Sequence, residues 1–384
     1  MKHETQVELS RHLLGYIADR TTFLSSDDER VAVTAFSDRD RFETEQELVL
    51  RTHPAVVGFG SQMAAPGDYT AATVAGVPVV VVRDDNGTLK AFINACRHRG
   101  TELVEEGVGS VTRAFTCPYH RWRYGLDGAL VGIPDAAGFP DIQPEQVALA
   151  PLPVAEKFGL VWVVPTPAAP LDLDTYLGAD MVDELNHYGF DAYHHFRSTT
   201  VDVHANWKLM YDTFLEFYHG AYLHPDTLAH LMAKNIVHFD RLGDHYRMVA
   251  AKKSIKELSD LPEQDWRLLD HAVVSYDIFP NLAVNHHGDH VAVYRVIPDG
   301  DRVDGSKWEF SMLTPEPVET DKAKAYFDQN FDYIVRTGTE DVAAAESMQR
   351  TLASGANKSM LYGRFEPGNA WFHRRLAATL AEPS

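Results

Sequence analysis

Four side chains that bind metal well fall in two short segments, Cys96-Arg97-His98-Arg99-Gly100 and Cys117-Pro118-Tyr119-His120, which together read C-x-H-x18-C-x-x-H. They use both cysteines of the chain. Two thiolates and two imidazoles make a complete four-ligand set. Soft thiolates suit the ferric-leaning iron of a [2Fe–2S] pair, while neutral histidines on the other iron reduce the net negative charge and raise the potential. Such a centre accepts and passes single electrons. Zinc is the competing occupant, but Cys/His zinc motifs run C-x-x-C followed by H-x3-H instead of mixing one cysteine and one histidine in each half.

A second set begins at Asn206-Trp207-Lys208 and continues to Glu216, His219 and His224. The two histidines are five positions apart, with a carboxylate three positions upstream. On an ideal helix, positions five apart point about 140° away from each other, so both reach one metal only where the helix distorts, and Gly220 offers the place. One distant carboxylate would complete a facial 2-His-1-carboxylate triad, which leaves positions on Fe(II) open to dioxygen. Asp341 is the candidate, with Glu346 on the same predicted helix as the alternative. On a helix, Glu216 shares the face of His219 and can accept the proton of the ring nitrogen turned away from the metal. Asp212, one turn earlier, is the rival for that role, or else a solvated or supporting acid.

These residues need a frame to hold them. At 384 residues the chain is long enough for two domains, each with its own core. Residues 1–46 read as polar helix and turn, with Leu9, Leu13 and Ile17 at helical spacing, and form an arm of the second domain. Residues 47–165 carry short β-rich runs (77–82, 91–94, 160–164) punctuated by Asp85-Asn86-Gly87 and Asp127-Gly128 turns, a small all-β domain. A proline- and alanine-rich stretch, 165–170, leads into residues 166–384. There 206–222 and 321–352 read as helices, and 282–297 and 308–313 as antiparallel strands. The formal net charge of −20 argues against nucleic acid or an anionic membrane as partner. No apolar run is long enough to span a bilayer. A cytoplasmic location is expected, where a disulfide between Cys96 and Cys117 is disfavoured.

The segment CRHRG…CPYHRWRYGLDG closely resembles the Rieske motif of ring-hydroxylating oxygenase large subunits. It departs from the pattern in a slightly long gap between the halves and in Arg121, where relatives usually carry glycine. The run N-W-K followed by E-x-x-H-x4-H resembles the iron-binding motif of the same enzymes, and Glu340-Asp341 followed by Gln349 resembles their downstream ligand region. The resemblance implies an α+β protein, an all-β Rieske [2Fe–2S] domain inserted into a helix-grip (START-like) antiparallel-sheet catalytic domain. It implies a cluster on Cys96, His98, Cys117 and His120, Fe(II) on His219, His224 and Asp341, and Glu216 as the bridge between them. It also implies a trimer in which each cluster serves the iron of the neighbouring subunit. The chain has no nucleotide-binding glycine motif, so electrons from NADH or NADPH would arrive through a separate reductase or ferredoxin. Arg97, Arg99, Arg121 and Arg123 are a candidate landing rim for such an acidic donor.

The implied reaction is reductive activation of O2 and hydroxylation of an organic substrate. An apolar, aromatic or alicyclic substrate is expected from the 212–216 segment and from Leu228, Leu231, Met232 and Ile236, which suit a pocket wall. Choline- or carnitine-like quaternary amines are the alternative, for which Tyr218, Tyr222 and Tyr276 could supply an aromatic cage. A Rieske electron-transfer protein joined to a ligand-binding module is a reading of another class. The histidines of 285–290 are expected on a strand, with His286, Gly288 and His290 on one face and His287 on the other, as structural or pocket-lining residues. Tyr193-His194-His195 reads as strand.

Overall fold

The computed structural model describes residues 1–381. The chain divides into two compact units, one formed by Gln46–Leu173 and the other by Met1–Glu45 together with the chain from Asp174 on.

The continuous unit is all β in its regular structure apart from short helical turns, with antiparallel sheets of five, three and three strands. Its central strand Val77–Arg83 explains the valine run. Val79 and Val81 enter one apolar cluster, Val80 and Val82 the other, and all four are at most 1 % exposed. A strand buried on both faces reads as a continuous hydrophobic run. It ends at the turn the sequence announces, where the Asp84 carboxylate accepts from the backbone of Asn86 and Thr88 (both 2.9 Å) and Gly87 takes a positive φ of 78°.

The discontinuous unit is built on a seven-stranded antiparallel sheet running His194–Val203, Ser306–Thr314, Val291–Pro298, Leu282–His286, Ala272–Ile278, His245–Lys252, Met232–Leu242. The helix Asp321–Leu352, 32 residues long, packs closely on it, since a Cβ on Gly338 would lie 2.0 Å from the ring of the buried Trp308. This is the helix-grip arrangement. Its N-terminus is capped by Thr320, whose hydroxyl accepts from Ala323 N at 3.2 Å. The N-terminal segment contributes the helix His3–Asp19, with Leu9 and Leu13 buried, and a strand the sequence did not announce, Glu29–Ala32. That strand pairs with Ser359–Tyr362 from the other end of the chain. A fully buried ion pair, Lys208 to Glu45, fixes the arm to the helix Trp207–Asp212. Among the described residues no helix is long and apolar enough to cross a membrane.

Three local expectations change. Residues 206–222 do not form one helix. Trp207–Asp212 tightens through i to i−3 hydrogen bonds at Thr213, Phe214 and Leu215, unwinds at Glu216, and helix resumes only over Gly220–Leu223. The cause is Glu216, whose carboxylate takes the backbone N–H groups of Tyr218 and His219 and so replaces the helical carbonyls. Residues 285–290 are not one strand but the tip of a hairpin. The strand stops at His286, and His287 N donates to His290 O at 3.0 Å across Gly288 and Asp289. His287 and His290 therefore stack on each other, ring centroids 4.8 Å apart, while His286 turns to Tyr188. Finally, the helix Leu228–Leu231 gives way to strand at Met232, and Leu231 is 56 % exposed, so these residues do not form a helical pocket wall.

Candidate metal centres

Two loops carry the first ligand set, and they have the same hydrogen bonds. Cys96 N donates to Thr101 O and Gly100 N to Cys96 O, both at 2.8 Å. In the second loop Cys117 N donates to Trp122 O at 2.8 Å and Arg121 N to Cys117 O at 3.1 Å. The equivalent positions Gly100 (φ 80°) and Arg121 (φ 62°) are both left-handed, which is the physical reason glycine suits the position that Arg121 fills. Both thiols are buried in one apolar cluster. The rings of His98 and His120 lie 4.7 Å apart, and His98 stacks on Trp122. Arg99 donates to Nε2 of His120 (3.2 Å), and Nδ1 of His98 is buried without a hydrogen-bond partner. Nδ1 is thus the nitrogen each ring has to offer. Burial, then the charge of Arg99, lowers the His120 pKa and favours the neutral, ligating form. Tyr124 hydroxyl lies 3.4 Å from Cys96 Sγ, placed to donate to a thiolate. The donor set and its orphaned nitrogen fit a two-iron cluster with two cysteines and two histidines. Arg97, Arg99, Arg121 and Arg123 are all exposed around these loops, Arg99 over the ring of Tyr119.

The second set comes from distant parts of the chain. His219, His224 and Asp341 each offer one ligand atom, all within 4.8 Å of one another. Asp341 Oδ1 is 3.4 Å from His219 Nε2 and 3.2 Å from His224 Nε2. His224 Nε2 and Asp341 Oδ1 are buried and lack hydrogen-bond partners. The far nitrogens are tied back. His219 Nδ1 meets the Glu216 carboxylate, and His224 Nδ1 meets Glu340 at 2.6 Å, where Thr227 hydroxyl also donates. With both Nδ1–H groups donating to carboxylates, each Nε2 presents a lone pair to the same point, the arrangement of a carboxylate-supported metal site. Burial works against a charged His219, yet Glu216 and Asp341 outweigh it and raise its pKa to about 10. The carboxylates thus favour a cation where the three atoms converge, and the donor set suits Fe(II).

The unwound backbone at Glu216 is what lets histidines five apart converge. Asp212 is not at this site. Its carboxylate is taken by Tyr362 and by His373 Nε2 (2.9 Å). Glu346 accepts from His204 N at 3.0 Å. Glu340, although adjacent to Asp341 in sequence, had no role assigned by sequence reasoning. A second acid beside a ligand on a helix was the available signal. Tyr218, Tyr222 and Tyr276 do not form one cage. Tyr276 is buried and bonded to Glu184 and Tyr188, while Tyr218 and Tyr222 lie at the surface and Lys234 covers the Tyr222 ring at 4.4 Å.

A family described as Ring hydroxylating alpha subunit (catalytic domain) matches residues 190–382, half the chain. The Rieske [2Fe-2S] domain matches residues 53–150. The chain belongs to the Rieske ring-hydroxylating oxygenase alpha subunits. Choline monooxygenase from Beta vulgaris is 30 % identical over 331 residues, covering 85 % of this oxygenase and 71 % of the relative. The glycine betaine monooxygenase oxygenase subunit of Chromohalobacter salexigens is 27 % identical, covering 86 % and 80 %. The chlorobenzene dioxygenase alpha subunit of a Cupriavidus species is 34 % identical over a shorter stretch, 53 % and 46 %. In fold, the oxygenase superimposes on a quaternary ammonium Rieske monooxygenase solved with L-carnitine (TM-score 0.78, 22 % identity, 91 % and 95 % coverage). It also superimposes on naphthalene 1,2-dioxygenase from a Rhodococcus species (TM-score 0.75, 20 % identity, all of both chains). The oxygenase thus has a Rieske cluster domain and a catalytic non-haem iron domain.

Proposed function

We propose that this chain is the terminal oxygenase of a multicomponent system, with the cluster on Cys96, His98, Cys117 and His120 and the catalytic iron on His219, His224 and Asp341. The observation that carries this reading is the convergence of three ligand atoms, those of His224 and Asp341 buried and that of His219 half-buried, with both imidazoles held by carboxylates at the opposite nitrogen. When bound, the cluster supplies single electrons and the iron supplies the site of O2 activation. Glu216 orients His219 and is the candidate bridge to His120 of a neighbouring copy in a trimer. A related protein is described as revealing inter-subunit electron transfer, which supports that assembly. The four arginines around the cluster loops are the candidate landing rim for an acidic reductase or ferredoxin carrying electrons from NADH or NADPH, and we place the system in the cytoplasm.

For the substrate, a small quaternary ammonium compound is the better reading. Relatives named for choline and glycine betaine match across most of the chain. The carboxylates of Glu216, Glu340 and Asp341 at the iron site also favour a cation. An uncharged aromatic substrate is the second reading. It is favoured by the ring-hydroxylating family match and by the relative named for chlorobenzene. The test is substrate-dependent O2 uptake with a surrogate reductase, with product detected, across choline, glycine betaine, carnitine and neutral aromatic compounds. Coupled product from the ammonium compounds alone is expected. Coupled product from the aromatics alone reverses the order of the two readings, and labile sulfide absent beside stoichiometric zinc ends both.

A further inference from the structure

A cleft of about 540 Å³ lies between the C-terminal end of the helix His3–Asp19, the start of the strand Met232–Leu242 and the helical turn Lys253–Asp260. Its lining is unlike the rest of the chain. Arg20, Lys234, Lys253 and Lys256 line it and no carboxylate does, in a protein with 55 acidic against 35 basic residues. Tyr16, Ile17 and Ile236 supply an apolar floor. Tyr16 is held there by its hydroxyl, 2.8 Å from His238 Nδ1.

The backbone is bent to make this cleft. Pairing between the strands Met232–Leu242 and His245–Lys252 jumps from Met232↔Lys252 to Val237↔Ala250, so residues 233–236 bulge out of the ladder. Within the bulge Asn235 adopts a left-handed φ of 49°. Bulges of this kind re-aim side chains, and this one supplies Ala233, Lys234 and Ile236 to the cleft. No carboxylate lines the cleft to neutralise its four cations, so an anion entering it meets charge of the opposite sign only. The volume suits a small molecule.

We propose that this cleft, separate from the iron site, binds a small organic dianion, with its anionic groups among Arg20, Lys234, Lys253 and Lys256 and a compact apolar body against Tyr16 and Ile236. Lys234 also covers the ring of Tyr222, which lies between His219 and His224 in sequence, so the cleft shares one cation with the iron-binding segment.

Calorimetry on the full-length, metal-loaded protein tests this with phthalate and phenyl phosphate as aromatic dianions, inorganic phosphate as an anion without an apolar body, and benzyl alcohol as a neutral control. Saturable binding of at least one aromatic dianion is expected, carboxylate or phosphate source being told apart by which of the two binds more tightly. Inorganic phosphate should bind more weakly, and benzyl alcohol should not compete. The double variant Lys253→Glu, Lys256→Glu should weaken that binding at least tenfold, and Lys253→Arg, Lys256→Arg should restore it. Both positions are exposed, so folding is not at issue. Absence of saturable binding by the wild type, or equal affinity in the charge-reversed variant, overturns the assignment.

Discussion

The two ligand sets hold their histidines by opposite ends. In the cluster loops Nδ1 is left for the metal, and Nε2 of His120 faces Arg99. At the iron site Nε2 is left for the metal, and Nδ1 is held by Glu216 or Glu340. The supports differ accordingly. Backbone hydrogen bonds within each loop fix the proposed cluster ligands, whereas side-chain carboxylates fix the proposed iron ligands. A centre built on backbone tolerates change in its neighbours, and one built on side chains transmits it.

The largest effects should come from deleting ligands, and each should stay within its own centre. Cys96→Ser or Cys117→Ser should bleach the visible absorption and lose labile sulfide. His219→Ala or Asp341→Ala should abolish turnover while leaving the cluster's colour and reducibility intact. If His219→Ala also bleached the protein, the two centres would not be independent.

Next in size is Glu340→Gln, which keeps the shape but removes the charge that holds His224. Iron affinity should fall about 10- to 100-fold, with activity recovered by added Fe(II). Unchanged iron retention during dialysis against a chelator would mean that the carboxylate is not a working support.

Glu216→Gln should act on rate as well as on occupancy, since Glu216 supports His219 as Glu340 supports His224. With Fe(II) added to full occupancy, reoxidation of a prereduced cluster, in a single turnover with substrate and O2, should still slow by at least about tenfold, the scale of lost charge-assisted hydrogen bonds. Asp212→Asn is the matched control, since its partners are Tyr362 and His373. It should lower thermal stability with little change in that rate. The reverse pattern would hand the bridging role to Asp212.

The smallest effect is on the backbone side. Arg121→Gly removes a side chain from a left-handed position, so the variant should be as stable as the wild type or more so, by about 1 kcal/mol at most. Urea unfolding measures this. A loss greater than 1 kcal/mol would show that the arginine contributes contacts that outweigh its backbone strain.

What could be read in advance follows the same division. Cys96, His98, Cys117 and His120 stand out in sequence because the two loops that carry them are short and local, and the spacing of His219 and His224 announces that a helix must break if both are to reach one point. The agent of that break, the Glu216 side chain capturing two backbone N–H groups, was hidden by treating the residue as helical. Glu340 was hidden because its partner His224 lies far away in sequence. The strand Glu29–Ala32 has no periodicity to betray it and exists only by pairing with Ser359–Tyr362. At 285–290 the histidine spacing suggests a strand, but Gly288-Asp289 is a turn signal and the hairpin obeys it.

The split course of the chain through its two units bears on how the protein is made. By Leu173 every strand and every cysteine of the continuous unit has been synthesised. The other unit waits for Asp341 and for the strand that closes on Glu29–Ala32. At ribosomal speeds of about 5–20 residues per second, Asp341 follows His120 by roughly 10 to 40 s. The continuous unit is therefore complete on the growing chain well before Asp341, the proposed iron carboxylate, is made, so its folding need not wait for the iron site.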